Sequence, residues 1–171
     1  MSPSIDYING QLHAYARVNG KTNEGFEFYF RDMKQPLYGW DLGYVDTSIQ
    51  TCFEEQQVEL LKKYKKPVPD DLNITFRESS WEQLFEQLDT MLFAFLNAKT
   101  GYLLEDRGDN FNLSSEDYRK SVAEGMVKDI QTITDANTIL LADVPHEYFQ
   151  GSRFLFESSD AYYELRAGVF F

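Results

Sequence analysis

Cysteine and histidine are nearly missing from this chain, with one of the first and two of the second in 171 residues. Cys52 has no second thiol to pair with, so no internal disulfide can staple the fold. A zinc site would have to draw most of its ligands from carboxylates, which is uncommon, because His13 and His146 are the only imidazoles. Bases are scarce too, 16 against 28 acids, for a formal charge of −12. A surface of that sign repels phosphate backbones and argues against nucleic acid as a direct partner. There is no run of about 18 apolar residues, and the N-terminus has no basic start followed by an apolar stretch. Neither a membrane span nor a signal peptide is expected, and a cytoplasmic location is.

Catalytic and nucleotide motifs are missing as well. No G-x-G-x-x-G, G-x-S-x-G, H-E-x-x-H or C-x-x-C occurs. "GKT" at Gly20 to Thr22 has the end of a phosphate-binding loop, but Tyr15 stands where that loop needs its first glycine. Neither a metal nor a cofactor is expected.

What the chain does have is apolar and aromatic: 43% hydrophobic residues, with 14 Phe and 11 Tyr, enough for the core of one domain spanning residues 1–171. "QLHAYARV" alternates through Leu12, Ala14, Ala16 and Val18, and "GFEFYFR" through Phe26, Phe28 and Phe30, which predicts two strands joined by "NGKTNEG" in an antiparallel hairpin. "QPLYGWDLGYVDTS" holds Tyr38, Trp40 and Tyr44 between helix-breaking residues and predicts an aromatic loop. A helix capped by Asp46, Thr47 or Ser48 then carries Ile49, Cys52, Phe53, Leu60, Leu61 and Tyr64 and ends at "KKYKK" before Pro67. In that helix Cys52 reads as a small buried hydrophobe.

After a short strand in "LNITFRE", the strongest helical pattern runs from Trp81 to Leu96, with Ser79 and Glu82 as a capping box and Leu84, Leu88 and Leu92 at its centre. "GYLLED" is a further strand candidate. The next helix places Tyr118, Val122, Met126, Ile130 and Ile133 on one side, and Gly125 within it predicts a close packing contact or a bend. "TILLADV" and "RFLFES" predict strands, and the last stretch fits either a capped short helix, "SSDAYYELRAG" closed by Gly168, or a final strand, "AYYELRAGVFF", with the helix preferred. The expected fold class is α+β: a mainly antiparallel sheet opened by the N-terminal hairpin, with about three helices on one face.

The most unusual stretch is "GYLLEDRGDNFNLSSEDY", Gly101 to Tyr118, with five carboxylates in eighteen residues. As a calcium loop starting at Asp106 it fails, with Gly108 at the third position and Phe111 where glycine is required. A solvated loop before a helix accounts for such acids, with Asp117 favouring the helix dipole. So does a docking surface for a basic protein: Glu105, Asp106, Asp109, Glu116 and Asp117 attract it, and aromatic residues, Trp40 or Tyr44 first among them, anchor it.

A small, very acidic α+β chain with the aromatic helix Trp81 to Leu96 followed by this acidic segment resembles, in general character, the immunity proteins that bacteria use to neutralise toxins. That resemblance implies a cytoplasmic protein-binding inhibitor that occludes a toxin, without catalysis of its own. Two other functions fit the residues. One is a small-molecule or carbohydrate-active enzyme with a carboxylate pair near Trp40, Asp41, Tyr44 and Asp46; the other is an adaptor subunit whose aromatic surface is buried in a homo-oligomer.

Overall fold

In the computed structural model, residues 3–19, 25–35, 43–44, 47–93, 116–144 and 149–170 are described. Their first element corrects the expected hairpin. Ile5–Asn19 is a helix, α1, capped by the Ser4 hydroxyl, which accepts from the Tyr7 amide at 3.2 Å. Its inner side carries Ile8, Leu12 and Asn19, a helical repeat that the short alternation from Leu12 to Val18 masks. The Asn19 carboxamide donates to the Leu92 carbonyl at 3.1 Å, satisfying an acceptor that the end of another helix leaves open.

The strands are β1 (Gly25–Asp32), β2 (Thr75–Glu78), β3 (Thr138–Asp143), β4 (Phe149–Glu157) and β5 (Tyr162–Phe170). They form one antiparallel sheet in the order β1-β5-β4-β3-β2. The last of them settles the C-terminal stretch as the strand alternative, not the short helix preferred after Ser158. Edge strand β1 is covered by α1: the Asn9 side chain donates to the Phe30 carbonyl and accepts from its amide, both at 2.7 Å, in place of a neighbouring strand. Where β4 meets β5, Gly151 pairs with Gly168. A Cβ on Gly151 would lie 2.3 Å from the Gly168 Cα, and one on Gly168 would lie 2.2 Å from the Phe149 ring, so two glycines let strand and ring approach.

Alternation along the strands splits the apolar side chains between two faces. Phe28, Phe30, Phe154, Phe156 and Leu165 face α1, α3 (Trp81–Leu92) and α4 (Glu116–Thr134), where Leu84, Leu88 and Leu92 are fully buried. Ala142, Phe149 and Leu155 face the other way, against Phe53, Leu60 and Leu61 of α2 (Ile49–Lys63). Three helices thus share one face, but α1 among them was expected as a strand, and α2, expected with the other helices on that face, covers the opposite one.

Local signals explain the helix ends. Ser48 caps α2, accepting from the Thr51 amide at 3.1 Å, and Lys65 takes a left-handed φ of 55° after its last turn. In α3 the cap is Ser80, one residue later than expected: its hydroxyl accepts from the Gln83 amide at 3.2 Å. Gly125 lies on the exposed side of α4 with nothing within 4 Å of an added Cβ, so it marks no packing contact. The "GYLLED" strand candidate falls outside the described residues.

Candidate functional site

Two of the five carboxylates picked from the acidic segment are described. Glu116 and Asp117 occupy the first turn of α4, exposed, where the helix dipole favours negative charge. Glu116 pairs with Lys120 one turn on, and that hydrogen bond lowers its pKa and raises that of Lys120. Beside them Tyr118 is 41% exposed, one of three large apolar side chains so open among the described residues. It meets Tyr15 of α1, whose hydroxyl is pushed up to about 12, first by burial and then by Tyr118. The Tyr15 ring packs edge-on against Phe93, the residue that caps the end of α3, at 5.1 Å, which holds α1 beside that end of α3. The site is therefore a helix start with two exposed carboxylates, one of them paired with Lys120, and a partly exposed tyrosine beside Tyr15.

Of the two proposed aromatic anchors, the described one, Tyr44, does not join it. Tyr44 is half-buried, its ring 5.8 Å from Tyr162 in an edge arrangement and its amide donating to the Met33 carbonyl at 2.6 Å. It belongs to the α2 side of the sheet, opposite α4. Trp40, Asp41, Asp46, Glu105, Asp106 and Asp109 lie outside the described residues. His13 is exposed on α1, and Cys52 is a buried free thiol whose pKa burial raises; its sulfur accepts from Gln56 Nε2 at 2.9 Å.

Sequence patterning missed a second constellation, a charged cluster buried between the sheet and α2. Glu164 of β5, Arg153 of β4, Arg166 of β5 and Arg31 of β1 all point to that side, with Glu164, Arg153 and Arg166 at 0% exposure and Arg31 at 6%. Glu164 Oε1 accepts from Arg153 Nε at 2.9 Å and from Arg166 Nη2 at 3.2 Å, while Oε2 accepts from Arg31 Nε at 3.1 Å. Burial alone would raise the Glu164 carboxyl, but the arginines, Arg153 foremost, hold it far below the usual carboxylate range. Arg153 is pushed down to about 10 by burial first and by Arg166 second. Its plane lies 4.1 Å from the centre of the Phe53 ring on α2, and Arg166 lies 5.0 Å from that of Tyr29. The only advance signal was a run of polar residues, Glu164 and Arg166, alternating with apolar ones. It gave no hint that their partners came from two other strands.

No protein-family model, curated protein or solved structure matches this chain.

Proposed function

We propose that the protein acts by binding a basic protein at the start of α4, as an inhibitor of the immunity type that occludes a toxin. The observation that carries this reading is the segregation of charge. Three of the 16 bases are withdrawn into the arginine cluster with a single acid, leaving 27 acids against 13 bases, or −14, on the rest of the chain. Burying cations at the centre makes the outer charge more negative than composition alone implies, and such a field speeds encounter with a positive partner. Glu116 and Asp117 place two exposed carboxylates of that field at the start of α4, and Tyr118 supplies an amphipathic contact of the kind that dominates interface energies. No helix among the described residues is long and apolar enough to cross a membrane.

The test is capture of partners on immobilised protein, with wild type and the triple variant Glu116→Gln, Asp117→Asn, Tyr118→Ala compared. A basic protein held by wild type should associate more slowly with the variant and with a flatter salt dependence, while the variant's melting temperature stays unchanged. Equal association rates at low salt would remove the α4 surface from the proposal, and the absence of any basic partner would overturn it.

A further inference from the structure

The two edges of the sheet end differently. On β1 the backbone of Phe30 is taken up by the Asn9 side chain of α1. On β2 the capping stops short. The Ser79 amide donates to the Ile139 carbonyl at 2.9 Å in register with the β2–β3 ladder, so Thr75, Arg77 and Ser79 turn their backbone groups toward β3 and the residues between them turn theirs outward. The first outward amide, that of Ile74, donates to the Glu54 carboxylate of α2 at 3.1 Å. The next two outward residues, Phe76 and Glu78, have no hydrogen-bond partner among the described residues at either N–H or C=O. Thr75, Arg77 and Glu78 are exposed, so solvent reaches this edge.

The side chains along the edge narrow what can add to it. Alternation puts Phe76 and Glu78 on the α2 side, where the half-buried Phe76 ring lies edge-on to Phe53 at 5.1 Å, and Arg77 on the other. Three carboxylates border the strand: Glu78 itself, Glu54 at its Ile74 end, and the exposed Asp143 directly opposite Thr75 on β3. A second copy of this chain brings the same formal charge of −12 and is repelled, whereas a basic segment is attracted. With four residues β2 offers few backbone bonds, which leaves the choice of partner to those side chains.

We propose that the open edge of β2 takes an extended segment of a basic partner as a sixth strand, hydrogen-bonded to the backbone of Phe76 and Glu78. A lysine or arginine of that segment sits beside Glu78, an apolar side chain beside Phe76, and no cation opposite Arg77. This inference does not rest on the α4 surface, which belongs to a different element, so either proposal can fail alone.

The experiment titrates the nitrogen-15-labelled full chain, at fixed ionic strength, with the peptide Thr-Lys-Thr-Val-Thr-Lys-Thr-Val-Thr, which carries lysine and valine on one face and threonine on the other. The amide signals of Phe76 and Glu78 should move, and their hydrogen exchange should slow about tenfold when the peptide occupies about nine-tenths of the chain. The same peptide with glutamate in place of lysine should bind more weakly. Glu78→Pro removes one outward N–H and no bond to β3, as an edge strand tolerates; it should weaken the lysine peptide at least about fivefold through the lost hydrogen bond and the ring in its place. Because that variant can fail to fold, Glu78→Lys is measured beside it: the backbone edge stays and the preference should pass to the glutamate peptide. Signals that stay still at Phe76 and Glu78, or that move only at Glu116 to Tyr118, overturn the proposal. So does a folded Glu78→Pro that binds like wild type, or a dimer of the wild type that Glu78→Pro dissolves, which would make the occupant a second copy.

Discussion

Arg153 and Arg166 stand directly opposite one another on β4 and β5, and both donate to the same oxygen of Glu164. Like charges paired across strands repel, so this pair is tolerable only with the carboxylate between them. Glu164 is thus the keystone of the sheet's α2 side.

Replacing Glu164 with Gln keeps the shape and removes the charge. The variant should lose about 3 to 5 kcal/mol, the usual cost of breaking a buried ion pair from one side, as read from urea unfolding. Adding Arg166→Met should return part of that loss, because one stranded cation disappears with it. A loss under about 1 kcal/mol for the single variant would show that the cluster is not held by charge.

Acid stability follows from the same residue. Glu164 stays ionised in the folded chain at pH values where it is already protonated in the unfolded chain. Its contribution is complete above the ordinary glutamate pKa, about 4.3, and is lost as the pH falls from there toward the depressed folded value. The melting temperature should drop steeply below about pH 5. In carbon NMR the Glu164 carboxyl signal should not move until the protein unfolds; an ordinary titration midpoint would contradict the geometry.

Leu88 is fully buried at the centre of α3. Leu88→Ala should cost about 2 to 5 kcal/mol in a denaturant titration. A loss below about 1 kcal/mol would mean that this stripe tolerates solvent and serves as a partner face.

The glycines should respond in opposite directions. Gly125→Ala, in open space on a helix, should stabilise by about 0.5 to 1 kcal/mol. Gly168→Ala drives a methyl into the Phe149 ring and should destabilise by about 1 to 3 kcal/mol. Thermal melts of the two variants check both, and the same sign for both would contradict the packing of β4 on β5.

The α+β class and the helices α2 and α3 were legible because caps and apolar repeats are local. The stretch from Gln11 to Val18 was not, since eight residues of alternation fit a strand until Ile5, Ile8 and Asn19 extend the pattern to a helical one. Tyr162 to Phe170 misled for a different reason. Its buried Glu164 and Arg166 look like a solvated helix face, and only Arg31 and Arg153, brought in by the sheet, make their burial affordable. Of the candidate site, Glu116 and Asp117 were recognisable as a helix start, whereas the separation of Tyr44 from them depends on which face of the sheet each element covers.

The strand order has a consequence for synthesis on the ribosome. β1 is translated early, yet its pairing partner is β5, with residue 25 against residue 170. Until β5 emerges, β1 lacks the strand it pairs with, and Arg31 and Arg153 wait without Glu164. Closure of the sheet and neutralisation of its charged centre are therefore one late event, and such long-range pairing folds slowly. A nascent chain halted before Tyr162 would present an open edge on β4 and unshielded arginines together, a combination that quality-control machinery is suited to detect.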